Sequence, residues 1–514
     1  MKRLSSERLG LVVLFVVLGL FLSLGTIVPR ETTAVFASPD ETAVALFARG
    51  WSAAEGFRLP TNFPGFLGDL VLHPRSMVQQ GPWLVPVGFL GMPLLAMPFE
   101  QTWEGSAAFL TALLVASSVW PLWQFGSRLG RRAALVASVL YLTFPTVLLY
   151  ANRGLFPNLP VVALGLWSVW LVGERAHWKQ VVGGVVLGLA LVVRPVEAVW
   201  LLPWVVWRVW KQKTWWIPTL AACAFPFVGY GASIQTYQSL VPTLGYWLND
   251  IPASPSLVGG EAAAVMAVQT PSALPFGIHP RAMQTNIRLF WLEMLWPWVF
   301  LACAGLVQLW WRSARVVRSP VVWLGVWTSA VLFLFYGQGL YADNIRGTAA
   351  LGNSFLRYML PLVPLIALAG GAWAERMARN RSRTIVVTLL IGVLACFGVF
   401  LGLVRDEESI LSTQQELRRY EEIRVEAARV LPSGTIVISE RSDKLFAGLP
   451  GLIVVSPLPA AGVVAGLVEG ARVAWFHRAL TPEEIQEWLG VQVKVETVGS
   501  FGNEFLYLLT ARYF

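Results

Sequence analysis

The sequence predicts an α-helical polytopic membrane protein of about eleven transmembrane helices, with a small extracytoplasmic α/β domain at its C-terminus. Three observations predict it. The 514-residue chain is 56% hydrophobic, only 13% charged, and has a mean hydropathy of +0.60, where an average soluble domain carries about 25% charged residues. Apolar runs of ~17–25 residues, the length a bilayer-spanning helix needs, recur along it. From residue 405 onward the pattern changes to one charged helix followed by short apolar strands.

The N-terminus comes first. MKRLSSERLG precedes LVVLFVVLGLFLSLGTIV. The apolar run is longer than the core of a signal peptide, and no small-x-small cleavage site follows, so it reads as a first span rather than a removable leader. Eighteen Lys and Arg residues then cluster in six short segments, 1–8, 126–132, 173–180, 208–213, 312–319 and 375–383. The positive-inside rule makes these cytoplasmic, so the net charge of +9 is a topology signal and not a nucleic-acid footprint. Alternation places spans at 9–28, 107–125, 133–150, 159–172, 181–193, 197–207, 215–232, 289–311, 320–336, 359–374 and 384–404. The N-terminus is then cytoplasmic and the C-terminus extracytoplasmic, in a multi-pass protein of the cell membrane.

Two segments need separate treatment. WLVPVGFLGMPLLAMP, 83–98, must not cross, because every later basic loop would then fall on the wrong side. Its three prolines suit a re-entrant or surface-lying segment. The runs 181–193 and 197–207 are short, and a single span there would invert the later loops, so they read as a helical hairpin broken at Arg194-Pro195. Cys223, Cys303 and Cys396 all fall in predicted spans as ordinary buried apolar residues, with no disulfide or metal spacing.

The outer face carries the polar mass: 29–82, 233–288, 337–358 and the tail. In the tail, RDEESILSTQQELRRYEEIRVEAARVLPSG is a charged helix stopped by Pro432-Ser433-Gly434. TIVIS, LIVVS, RVAWF, VQVKVETV and EFLYLLTARY read as strands, with TPEEIQEWLG as a helix between two of them. No GxGxxG, P-loop, internal repeat or low-complexity tract is present. The domains are therefore 1–404, membrane-embedded, and 405–514, extracytoplasmic.

The first outer segment opens with FASPDETAVALFARG. Ser38, Pro39 and Glu41 fit a capping box with Pro at N1, and acidic residues in a first turn complement the helix dipole. Val44, Phe47, Ala48 and Trp51 follow at i, i+3, i+4 and i+7, a helix able to lie along the membrane surface. Asp40 and Glu41 also have a chemical reading. A carboxylate outside the membrane can act as general base on an acceptor hydroxyl or amine, and arginines of the same loop, Arg49, Arg58 and Arg75 with His73, can bind a phosphate through forked hydrogen bonds.

A first span followed by an outer loop opening Pro39-Asp40-Glu41-Thr42-Ala43 on an amphipathic helix resembles the GT-C superfamily of integral-membrane glycosyltransferases, which includes the lipid A aminoarabinose transferases and protein O-mannosyltransferases. HPRSMVQQGPWLVPVGFLGMPLLAMPFE at 73–100, LGLALVVRPVEAVWLLPW at 187–204 and SFLRYMLPLVPLIAL at 354–368 are similar to later elements of that group, so the resemblance covers residues 9–404. It implies transfer of a sugar, with inversion, from a polyprenyl-phosphate carrier to an extracytoplasmic glycan, lipid or protein acceptor. Asp40 then matches the catalytic base and Glu41 its partner. Arg75, Arg194, Arg346 and Arg357 are candidates for the donor phosphate, and His73, His279, Asp343 and Tyr358 for acceptor or sugar.

Each residue has a structural reading beside that one. Arg75, Arg346 and Asp343 can be loop charges, Arg194 and Arg357 can snorkel, and Glu197 can simply pair with Arg194. A divalent metal shared with the acidic pair is conceivable, but His73 and His279 lie in different loops and give no ligand spacing in its support; the lipid-linked sugar is the donor substrate, and no cofactor is certain. The chain departs from the family pattern in ANRGLFPNLP, which offers Asn152, Arg153 and Asn158 where many members carry a second acidic residue. The alternatives are a transporter, which predicts internal repeats, and an assembly factor in which Asp40-Glu41 is only a helix cap.

Overall fold

The computed structural model describes residues 36–60, 76–80, 82–210, 214–237, 277–312, 320–339, 341, 350–405, 408–439, 442–449, 452–455, 460–468 and 470–512. The first predicted span and four site candidates, His73, Arg75, Asp343 and Arg346, lie outside these residues.

Along the chain, α1 (Pro39–Arg49) is followed by β1 (Leu59–Pro60), β2 (Met77–Gln80), β3 (Trp83–Pro86) and α2 (Gly91–Thr102). The helical body comprises α3 (Ala108–Ser127), α4 (Arg131–Leu142), α5 (Pro145–Arg153), α6 (Asn158–Leu171), α7 (His177–Val193), α8 (Ala198–Val209), α9 (Trp216–Tyr237), α10 (Pro280–Asn286), α11 (Trp296–Arg312), α12 (Pro320–Phe335), α13 (Ser354–Tyr358), α14 (Val363–Met377) and α15 (Arg381–Phe400). The tail contains α16 (Ile410–Val430), β4 (Ile436–Ser439), α17 (Asp443–Phe446), β5 (Ile453–Val455), α18 (Ala460–Val468), β6 (Val473–Arg478), α19 (Pro482–Gly490), β7 (Val493–Phe501) and β8 (Glu504–Ala511).

Helix occupies the main part of each predicted span from 107–125 onward. Fewer helices have spanning length. Among the described residues three are long and apolar enough to cross a membrane, or up to five when two bent pairs are each taken as one span. The bends have local causes. The run 131–153 turns by 55° where Pro145 starts α5, since proline cannot donate to the preceding turn. The run 280–308 turns by 92° at Leu295, two residues before Pro297. The expected break at Arg194-Pro195 is present: α7 stops at Val193, Arg194 is extended (φ −155°, ψ 89°), and Pro195–Glu197 form a 3-10 turn. Segment 83–98 is not one helix but β3 plus the start of α2, whose 12 residues span only about 18 Å. Cys303 and Cys396 are exposed on the helix surfaces rather than buried in the protein.

The described residues form two compact units. The first takes those of 108–230 and 269–413. Small residues let its helices approach closely, as membrane helices do: a Cβ on Gly371 would meet the Ala133 carbonyl, and one on Gly305 would meet that of Ala369.

The second unit takes the described residues of 29–107, 231–268 and 414–514. In it β1, β3 and β2 make a small antiparallel sheet. Ala43 and Phe47 of α1 pack there with Phe57, Met77, Leu90 and Ala447. The buried face of α1 is thus covered by protein, where a helix lying along a membrane surface would have been apolar to lipid; Val44 is only half-buried. The tail strands form a five-stranded sheet in the order β5-β4-β6-β8-β7, with β4 parallel to β5 and β6, and β8 antiparallel to β6 and β7. Strand alternation gives it two cores. Val437, Ala474, Phe476 and Leu506 face Ile423 and Ala427 of α16; Ile436, Ile438, Val473 and Leu509 face Val463 of α18. Edge strand β7 carries a register shift between Thr497 and Gly499.

Candidate functional site

In the second unit the acidic pair stands on the first turn of α1. Ser38 is the N-cap and Pro39 occupies the first turn. The Ser38 hydroxyl accepts from Asp40 N at 3.2 Å, the N2 amide; a capping box would take N3, so the expected reciprocal box is replaced by a simple serine cap. Thr42 adds its hydroxyl to the Ser38 carbonyl at 3.0 Å. The two carboxylates separate, as residues ~100° apart on a helix must: Glu41 is 1% exposed, and Asp40 is exposed. Asp40 Oδ1 accepts a hydrogen bond from Ser76 Oγ at 2.5 Å. Ser76 holds this position with φ +65°, a left-handed conformation that costs an L-residue about 1–2 kcal/mol, and its carbonyl accepts from Val87 N at 3.2 Å.

The loop arginines that the structure describes face other partners. Arg49 bridges Glu100 at 3.1 Å and Glu104 at 2.6 Å. Glu100, itself buried, also accepts from Gly105 N and Ala107 N. Arg58 is buried and donates to the Thr236 carbonyl at 2.5 Å. Both arginines therefore hold the fold, and neither is placed as a phosphate ligand.

The first unit contains a cluster of guanidinium groups and aromatic rings. Arg194, 9% exposed, pairs with Glu197 at 2.8 Å and donates to the Tyr336 hydroxyl at 3.2 Å. Glu197 also accepts from Tyr336 and from the Trp200 indole. Tyr336 and Tyr358 stack with centroids 4.5 Å apart, and the Arg194 guanidinium lies 4.8 Å from the Tyr358 ring. On the other side Arg357 stands 5.4 Å from Tyr358 and 4.4 Å from Phe156, and donates to Ser354 Oγ at 2.9 Å. Arg153 is 5.0 Å from the same Phe156 ring. Three guanidinium groups and four rings, Phe156, Tyr150, Tyr336 and Tyr358, are thus linked through cation–π contacts.

Of the predicted site residues, Arg194, Arg357 and Tyr358 come together. His279 caps α10, its backbone amide on Gln338 Oε1 at 2.7 Å and its side chain exposed. Sequence reasoning missed Ser76, Tyr336, Phe156 and the part played by Arg153. For Ser76 the adjacent His73-Pro74-Arg75 was the only signal; Tyr336 reads as a span end. Among the described residues no group of three His, Cys, Asp or Glu side chains could hold a metal ion.

The fold is that of the solved structures of ArnT. The chain superposes on ArnT from Cupriavidus metallidurans in the apo state with a TM-score of 0.61 over 98% of this chain and 99% of that one, at 11% identity. The undecaprenyl phosphate-bound form of that protein gives 0.56 over 97% and 98%, also at 11% identity. In sequence it is 23% identical over 347 residues to undecaprenyl phosphate-alpha-4-amino-4-deoxy-L-arabinose arabinosyl transferase 2 of Pseudomonas fluorescens (strain Pf0-1), an alignment covering 63% of this chain and 54% of the relative. The chain thus spans about half the length of the curated relative it matches. No known family profile matches the chain. The resemblance to the aminoarabinose transferases is borne out in the fold and in the sequence match.

Proposed function

We propose that the protein is an inverting glycosyltransferase that takes a sugar from a polyprenyl-phosphate carrier and passes it to an extracytoplasmic acceptor. The observation that carries this reading is Asp40, held exposed on a capped first turn by Ser76 while its neighbour Glu41 is buried. The ArnT fold over nearly the whole chain supports it. In the reaction an acceptor oxygen attacks the anomeric carbon, the bond from that carbon to the phosphate oxygen breaks, and the acceptor proton passes to the Asp40 carboxylate. The leaving polyprenyl phosphate carries developing charge that guanidinium groups stabilise. Arg357 and Arg194 are the leading candidates, Arg357 sharing the Phe156 ring with Arg153. His279, Tyr358, His73 and Asp343 stand as candidates for sugar or acceptor, and Arg75 and Arg346 for phosphate. The eleven-span topology, the division into 1–404 and 405–514 and an outer C-terminus belong to the same proposal.

Asp40→Asn tests it. The amide keeps the shape and the acceptor for Ser76 but removes the base, whose assistance is typically worth ~10²–10⁴-fold. Release of undecaprenyl phosphate from undecaprenyl phosphate–aminoarabinose, the donor in the curated relative's name, should slow by about that factor in purified Asp40→Asn, with melting unchanged. Wild-type turnover in that variant would reduce the acidic pair to a helix cap.

A further inference from the structure

The approach to α1 is closed by residues far away in sequence. Lys444 Nζ donates to the carbonyl of Ala37, one residue before the Ser38 cap, at 2.6 Å. The same ammonium lies 4.6 Å over the Tyr420 ring of α16. Burial, and Glu416 beside it, push the Tyr420 hydroxyl up, so the ring stays a neutral platform. A cation at a helix N-terminus opposes the macrodipole. The dipole therefore does not recruit Lys444; the Ala37 carbonyl does.

The segment carrying Lys444 is itself fixed. Arg424 of α16, buried, donates to the carbonyls of Leu445 and Ala447. Ala447 packs in one core with Ala43 and Phe47 of α1. Gly448 follows with φ +80°, and a Cβ there would collide with Leu46 of α1. Ala37 packs against the core built by α16 and the five-stranded sheet. The chain entering the first turn is thus held from the tail at its last carbonyl, and the helix after it along its buried face.

We infer that the turn 443–449 of the C-terminal α/β module is a positioning element for the acidic pair, with Lys444 as the positioning residue at its N-terminal end. The inference rests on the proposed role of Asp40. Losing the lysine contact frees the Ala37-Ser38 link, the Ser38 cap then rotates, and Asp40 leaves its place opposite Ser76.

The experiment uses the full chain in nanodiscs, with Lys444→Met, which keeps the stem over Tyr420, and Lys444→Arg, which keeps a donor. Hydrogen exchange of the amides of residues 40–46 and release of undecaprenyl phosphate from undecaprenyl phosphate–aminoarabinose are both measured. Expected are about tenfold faster exchange confined to those amides in Lys444→Met, a similar fall in kcat with KM unchanged, and recovery of both in Lys444→Arg. Wild-type exchange in Lys444→Met overturns the inference whichever donor sugar proves right. Faster exchange across the whole chain overturns it too, by making the contact one of general stability; Lys444→Gln gives the same comparison should Lys444→Met fail to assemble. Faster local exchange with unchanged turnover overturns the link to the acidic pair, and Asp40→Asn at the wild-type rate in the same assay separately refutes the reading of Asp40 as base.

Discussion

Ser76 offers a test in which stability and activity part company. Its hydroxyl holds Asp40 Oδ1 at 2.5 Å, and its backbone stands at φ +65°. Ser76→Ala loses a hydrogen bond to a carboxylate but keeps the strained backbone. Bonds to charged groups contribute about 1.5–3 kcal/mol, and the exposure of this one brings the loss to about 1 kcal/mol. Ser76→Gly loses the same bond, yet recovers the ~1–2 kcal/mol of left-handed strain and gives back roughly 0.5–1 kcal/mol to the extra freedom of the unfolded chain. The glycine variant should therefore be more stable than the alanine variant by ~0.5–1 kcal/mol. Turnover should fall by about tenfold in both, because a misplaced reacting group costs up to ~10²-fold. Side-by-side denaturant titration of purified protein and release of undecaprenyl phosphate read the two effects. An alanine variant as stable as the glycine variant would refute the strain argument. Wild-type turnover in both would refute the role of the Ser76–Asp40 bond.

Arg357→Lys keeps the charge but loses the planar face that lies 4.4 Å from Phe156; affinity for undecaprenyl phosphate, measured by titration in detergent, should drop by about tenfold, and unchanged binding removes Arg357 from the phosphate site. Glu197→Ala leaves the buried Arg194 guanidinium without its 2.8 Å partner and should destabilise the protein by about 3–5 kcal/mol, seen as a large loss of folded yield and melting temperature; a shift under about 1 kcal/mol would mean that water already screens the pair. A reporter active only in the cytoplasm, fused after Phe514, should stay silent; a strong signal would reverse the topology.

Local chemistry made much of this molecule legible in advance. The break at Arg194-Pro195 follows from a proline that cannot donate, and the five tail strands and α19 fall where the apolar runs and TPEEIQEWLG place them. What the sequence hid depends on distant neighbours. Periodicity put Val44 on the apolar face of α1, but partners at Phe57, Met77 and Ala447 decide which face is covered. The parallel pairing of β4 with β6 is tertiary. The site divides the same way. Asp40 and Glu41 announced themselves by adjacency and position, whereas Ser76 meets Asp40 from 36 residues on, and Tyr336 meets Arg194 from 142 residues on, only through folding.

The tail sheet ends on two unequal borders. On one side β5 is three residues long, too short a template for another chain to extend. On the other, nine-residue β7 would be an inviting one, but its slip at Thr497/Gly499 interrupts the ladder, and Lys494 and Glu496 line it with charge 3.4 Å apart. Such devices discourage edge-to-edge growth. A module built this way can stand at high density beside copies of itself without seeding aggregates, so flattening that border, by deleting Gly499 and neutralising Lys494, is the change that would turn a soluble face into an adhesive one.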